Sequence, residues 1–412
     1  MFSSTKLHFK MALLQIKRRK RRAVLIALMI SLSLVGLLFM EGMYDGMMVQ
    51  ITQNSIKTGS GTLSVEHKNF RSDNNIKYNI QNPDNITKLL DHKEEISSYV
   101  LRISQRGLIA TAGYSKGVNV IGVDLTKEEE HADLKNFLTK GEYTFDKRSR
   151  GAIIGYRLAR KLKVDVGKKV IITMQDNTNE VVSAAFKIRA IIKTNNMNID
   201  EYGLLVDMKR LQALTGINGV TQISILLHKR NLDASVLHEL RSEILDEQIV
   251  IYSYKELYPS LHESEMMMQT YNKISTIFIF VVASLGIFGV VMVSVLERVR
   301  EFGIMMAIGT EFKEIVRLVM YESLLITMSG YIIGALLGGS LLWYFKEYGL
   351  NLSGFSDAFA IFGMDSNIYA VMKEEYFTNS FISVLLATLV ATLIPLITLK
   401  RRNPIKSINE QT

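Results

Sequence analysis

The side chains able to do chemistry are few and dispersed. Seven histidines are spread over 412 residues and there is no cysteine, so this sequence offers no disulfide and no thiolate metal ligand. No H-E-x-x-H occurs. His262-Glu263 with Glu265 is the nearest approach to a metal-binding group, and no metal residue is assigned there. Nowhere do Ser, His and Asp fall at spacings from which a nucleophile, a base and an orienting acid can be argued. No G-x-x-x-x-G-K-[ST] loop is present, so there is no nucleotide site of that kind. Glu322 stands inside a long apolar segment, where an acid is costly and by default functional. Arg317 and Lys313 lie a turn or two before it, so it is read as an interfacial ion pair or hydrogen bond rather than a proton relay. Nothing marks an active site, and the chain is expected not to be an enzyme.

The stretch with the most organised spacing is Glu297-Arg298-Val299-Arg300-Glu301-Phe302-Gly303-Ile304-Met305-Met306-Ala307-Ile308-Gly309-Thr310. It separates two long apolar segments and is expected to be a short helix at one membrane face. Phe302, Met305, Met306 and Gly309 follow the i, i+3, i+4, i+7 spacing of one helical face. Glu297 can pair with Arg300, and Arg298 with Glu301, at i+3. A Met-rich stripe with charged shoulders suits a pocket on a soluble partner, because Met adapts to irregular surfaces. The same pattern also suits an amphipathic helix lying in the headgroup layer. Both readings stay open on pattern alone.

Several elements must hold that stretch in place. The chain is 48% hydrophobic and 22% charged, with mean hydropathy of +0.15, a mixture that implies greasy segments joined to a soluble domain. The net charge of +9 sits mainly in two blocks, Lys17 to Arg22 and Lys400 to Arg402, each abutting an apolar run. That placement speaks for membrane orientation and anionic lipid, at about 1 kcal/mol per basic residue, and against nucleic acid. Residues 1–22 are expected as an amphipathic and basic cytoplasmic segment, and 23–45 as a first span. A signal peptide is disfavoured by the length of the run and the lack of a small-x-small cleavage site.

Residues 46–270 are expected as one large α+β domain and stalk on the far side. Strands are predicted over 62–66, 99–110, 118–123, 152–154, 169–174, 181–192, 221–228 and 248–253, and helices over 83–93, 155–163, 208–214 and 232–246. Two interleaved lobes are expected, because 133–150 breaks the pattern with charged and Gly-containing turns. From Tyr254 the pattern turns helical and is expected to run into a second span at 271–296. Its stalk carries Met266, Met267 and Tyr271, which with Met43 and Met47 are candidate cargo-facing residues. The short helix occupies 297–314, a third span 315–345, a modest outer loop 346–376, a fourth span 377–399 and a tail 400–412. Basic flanks at both ends put both termini in the cytoplasm. Gly330, Gly334 and Gly338 recur every four residues, as in a seam with another span or subunit, or simply as in a Gly-rich membrane helix. Pro395 is expected to kink or loosen the fourth span.

Together these features resemble the permease subunits of mechanotransmission ABC transporters, the MacB/FtsX-like family of the type VII architecture. The matching residues are Glu297-Arg298, Arg300-Glu301-Phe302-Gly303, Ala307 and Gly309, then Glu322 and the glycine series. Pro395 and Arg401-Arg402-Asn403-Pro404-Ile405 resemble the closing motif, and Leu13-Leu14 with the basic block the opening one. In the external domain, Ile121-Gly122-Val123-Asp124, Ile153-Ile154-Gly155 with Leu158-Ala159, Val166 to Val170, and Asp200-Glu201-Tyr202 before Leu204-Leu205-Val206 are similar to the lipoprotein-releasing (LolC/LolE-type) branch. The resemblance implies four transmembrane helices with a periplasmic α+β domain after the first, in a bacterial inner membrane. It implies a stand-alone ATPase dimer that holds ATP and magnesium, a second permease subunit (identical or related), lipoprotein cargo and a periplasmic carrier chaperone. It also makes 297–309 a coupling helix, with Phe302, Met305 and Met306 seated in a groove of the ATPase. An export permease for a peptide or lipid-like compound, or an FtsX-like regulator of a periplasmic enzyme, are the alternatives.

Overall fold

A computed structural model describes residues 2–401 apart from 147, 195, 230, 231, 356–358, 360–363 and 365. The closing segment 402–405, and Asp357 and Asp365 of the outer loop, lie outside the described residues. The chain forms two compact units, Met1–Met47 with Glu265–Asn351 and Asn367–Thr412, and Met48–Ser264 with Leu352–Ser366.

The first unit is built from long apolar helices. A helix Phe2–Arg18 precedes Lys20–Thr58, whose length exceeds the expected span 23–45 at both ends. Residues 46–58 carry no Pro and no helix-stopping Gly pair, so helical hydrogen bonding continues through them. Three helices among the described residues are long and apolar enough to cross a membrane: Lys20–Thr58, Phe312–Tyr348 and Glu374–Ile397. The expected second span falls in helix Pro259–Glu297, where the described apolar run is Ser284–Glu297. That helix does not run unbroken from Tyr254. A short helix Tyr254–Leu257 ends first, and Tyr258 takes φ −126° and ψ 68°, because the ring of Pro259 excludes helical geometry from the residue before it. Pro395 does not end its helix, which is assigned through to Arg401. A membrane helix can lose one backbone donor when its neighbours absorb the defect. The outer loop carries a two-residue antiparallel pairing of Leu350–Asn351 with Asn367–Ile368.

The glycine series does form a seam, and its partner is the first long helix of the same chain. A Cβ on Gly330 would lie 2.8 Å from the Ala27 carbonyl oxygen, one on Gly334 2.8 Å from Ser31 Cα, and one on Gly338 2.8 Å from Leu38 Cδ1. Ala27 and Ser31 are small residues at the matching i, i+4 spacing, so two backbones approach closely in an apolar medium.

Among the described residues the second unit holds ten strands: β1 Leu63–His67, β2 Ile96–Ala110, β3 Ser115–Val123, β4 Leu138–Gly141, β5 Gly151–Gly155, β6 Lys169–Gln175, β7 Val181–Ile192, β8 Gly203–Asp207, β9 Gln222–Leu227 and β10 Ile249–Ser253. The long β2 belongs to two assemblies. Its first half pairs antiparallel with β9, which continues to β1 and β10. Its second half closes a ring β2–β3–β8–β5–β7–β6–β2, parallel only at β3·β8 and β5·β7. Closing the ring leaves no edge among these six strands except where β4 adds to β7. Inside the expected irregular region 133–150 lie a 3-10 turn Leu134–Phe137 and β4. The helix Leu125–Ala132 is not legible in the sequence, because half of its residues are charged and two of its three buried residues are Glu128 and His131.

Candidate functional site

The short helix between the second and third long helices spans Val299–Ala307. Its end is a Schellman arrangement: Thr310 N–H donates to the Met305 carbonyl (2.9 Å), Gly309 N–H to the Met306 carbonyl (3.1 Å), and Gly309 adopts φ +98°. Gly309 therefore terminates the helix and is not part of a contact stripe.

The stripe itself faces inward, which corrects the expected seating. Phe302 is 0% exposed and packs with Val295, Ile315 and Val319, and Met305 and Met306 are half-buried against the same cluster. Gly303 is buried beside Phe302. An all-carbon ring in a continuous apolar core is more stable there than on an exposed face. The outward face consists of Arg300, Glu301, Ile304, Ala307 and Ile308, with Ile304 53% and Ile308 79% exposed. Ile304 and Ile308 stand at i, i+4, with Arg300 one turn earlier.

Arg298 anchors this helix. Its guanidinium is almost fully buried and donates to Glu322 at 2.9 Å and to Glu301 at 3.1 Å, while lying 4.8 Å from the centre of the Phe302 ring. The Arg298–Glu301 pair matches the i+3 expectation. Glu322, by contrast, is held by Arg298 and not by Arg317 or Lys313. Arg317 turns to Glu314 at 2.7 Å. Glu297 likewise pairs across helices, with Arg19 at 3.2 Å and with Arg22, and not with Arg300. For Glu322 and Glu297 the partner comes from another helix, because packing brings Arg298, Arg19 and Arg22 nearer than the residues one turn away, and Coulomb attraction grows as the separation falls.

At the opposite end of this unit a polar knot went unnoticed in the sequence. Asp45 accepts hydrogen bonds from the Tyr376 hydroxyl (2.5 Å), from Lys373 and from Asn272 (3.3 Å), and Glu41 accepts from Thr276 at 3.0 Å. The available signal was two acids at i, i+4 in an otherwise apolar helix. Beside it, Tyr44 and Tyr271 meet edge to face at 5.6 Å. Met43 is half-buried against the cluster around Leu342, and Met47 is also half-buried, whereas Met266, Met267 and Tyr271 are exposed. Of these five residues only the last three are exposed on the surface.

In the second unit the strongest electrostatic feature is structural. His131, 1% exposed, hydrogen-bonds Ser98 (2.9 Å) and Ser224 (3.1 Å). Burial, with the nearby charges of Arg102 and Lys57, pushes its imidazole down to about 3, so it stays neutral. Tyr99, partly desolvated and bonded to Asp91 at 2.6 Å, is pushed up to about 12. Neither group is tuned for proton transfer near neutral pH. Among the described residues no three His, Cys, Asp or Glu side chains are arranged to hold a metal ion.

Residues 23–243 match the MacB-like periplasmic core domain, and residues 273–404 match the FtsX-like permease C-terminal region. Over 264 residues the chain is 22% identical to the lipoprotein-releasing system transmembrane protein LolE of Haemophilus influenzae, an alignment spanning 62% of each. It is 24% identical over 324 residues to the corresponding LolC of Buchnera aphidicola, spanning 75% of each. The chain thus covers less than two thirds of the Haemophilus protein. The solved periplasmic region of MacB from Actinobacillus actinomycetemcomitans aligns with 48% of this chain and 92% of its own, at 14% identity and a TM-score of 0.33.

Proposed function

The chain belongs to the MacB/FtsX-like family of ABC transporter permeases, and from that premise we propose that it extracts lipoproteins from the inner membrane and delivers them to a periplasmic carrier. A separate ATPase dimer would bind ATP and magnesium and would drive two permease subunits, identical or related. The short helix Val299–Ala307 would be the coupling helix, touching that ATPase through Arg300, Ile304, Ala307 and Ile308. The observation that carries this reading is the exposed Ile304–Ile308 pair on a helix fixed from behind by Arg298 and Phe302. Two exposed apolar side chains beside a charged shoulder are a common make-up of an interface centre. A rigid backing means that a push on the outer face moves the attached long helices rather than the side chains alone. Cargo class rests on likeness to LolE and LolC, whose names specify lipoprotein release.

The test uses the chain reconstituted with its ATPase in vesicles. Ile304→Asp combined with Ile308→Asp should leave insertion intact while lowering cargo-linked ATP turnover by about tenfold or more, as for an interface hot spot. Full turnover and release by that variant would refute the coupling face. Phe302→Asp should behave differently and compromise folding, since it buries a charge. Depletion of the protein should leave lipoproteins in the inner membrane. Normal lipoprotein sorting under depletion would instead favour export of another compound by the same engine.

A further inference from the structure

Alternation along three strands of the second unit sends polar side chains to one sheet face. Ser64 and Glu66 on β1 stand opposite Ser224 and Gln222 on β9, and Gln222 stands opposite Arg102 on β2. Two and four residues further along β2, Ser104 and Arg106 share that face, with Asn119 of β3 opposite Arg106. Such a pattern ordinarily faces water. Here Ser64, Glu66, Arg102, Gln222 and Ser224 are all buried. The helix Leu125–Ala132 covers part of the face, Glu128 pairing with Arg102 and His131 with Ser224. The uncovered part is the floor of a cleft of about 670 Å³.

The charges in that cleft are unevenly satisfied. Arg71 is clamped to Glu66 at 2.9 Å, and Arg102 to Glu128 and the Gly59 carbonyl. Arg106 lines the cleft, is exposed, and has no partner among the described residues. Gln222 spends its Nε2 on Ser64 at 3.0 Å, leaving Oε1 without a partner among the described residues. Asn119 accepts from Ser104 at 2.8 Å, leaving Nδ2 likewise without a described partner. Among the described residues, one free cation, one free amide carbonyl and one free amide N–H2 therefore border a space of ligand size.

We propose that this cleft binds a short acidic peptide segment. One carboxylate meets the Arg106 guanidinium, and main-chain N–H and C=O groups meet Gln222 Oε1 and Asn119 Nδ2. A single free cation matches a single carboxylate and is poorly matched to a phosphate dianion, which calls for more positive charge. The volume exceeds what one inorganic anion fills and accommodates several residues of extended chain. Nothing in this site depends on the coupling helix or on an ATPase, so its test is independent of the transport reading.

The test places the full chain in lipid nanodiscs and measures fluorescence anisotropy with a labelled heptapeptide, Gly-Ala-Glu-Ala-Glu-Ala-Gly. Saturable binding is expected, weakened about tenfold when both Glu are replaced by Gln, or when the protein carries Arg106→Gln. Arg106 is exposed, so this variant should fold normally. Asn119→Asp, which places a carboxylate against the ligand, should weaken binding at least as much. The proposal is overturned by absence of saturable binding, by unchanged binding to Arg106→Gln, or by inorganic phosphate competing as well as the peptide, which would mark a simple anion site.

Discussion

Arg298 and Glu322 show how a pair of residues can matter more to architecture than to chemistry. Both are buried, 2.9 Å apart, on elements separated by 24 positions in the chain. The attraction between them roughly offsets the desolvation of each, so the intact pair stabilises little. Removal of one partner strands the other charge. Glu322→Gln is expected to destabilise the protein by about 3–5 kcal/mol, visible as a lower melting point in detergent. Arg298→Met combined with Glu322→Leu should recover most of that loss. If the double variant melts no higher than the single one, the pair is not the link that fixes the short helix. The sequence marked both residues as notable, yet matched Glu322 with Arg317 and Lys313. Neighbours in sequence compete in water, whereas Arg298 reaches Glu322 only after helices have packed and excluded it.

Among elements, the third long helix illustrates what a spacing can and cannot say. Gly330, Gly334 and Gly338 announce a flat strip on one side of Phe312–Tyr348, since i, i+4, i+8 positions align. They do not announce the partner. Ala27 and Ser31 on the first helix fill that place, with backbone atoms under 3 Å from any added Cβ at Gly330 and Gly334. Gly334→Val should therefore force the helices apart and cost about 1–3 kcal/mol, read as a fall in thermal stability. Gly289→Val, at an exposed position with open space around it, serves as the comparison and should be close to neutral. Equal effects of the two substitutions would remove the seam from the account. The break at Pro259 was legible in principle, because the ring restrains its predecessor. It was overridden by the apolar periodicity that follows it.

For the whole molecule, sidedness is the property on which the proposed coupling rests. The chain has no native cysteine, so single cysteines can report it without background. Ile308→Cys, at an exposed position, should react with a membrane-impermeant maleimide only when the cytoplasmic face is open. Val181→Cys, also at a well-exposed position, in the second unit, should react from outside in intact spheroplasts. Labelling of both from the same side would contradict the orientation inferred from the basic blocks at either end.

The sequence by itself determined the composition of the long helices, the place of the large domain after the first of them, most strands of that domain and the family. Each of these follows from local periodicity and chain order, which survive without knowledge of contacts. Only the tertiary structure decided that Phe302 faces inward and Ile304 with Ile308 outward, that Arg298 and not Arg317 holds Glu322, and that a polar sheet face is buried. Those outcomes turn on which surfaces meet. A helix or strand has two or more faces of similar character, and burial against a particular neighbour, not the pattern, selects among them.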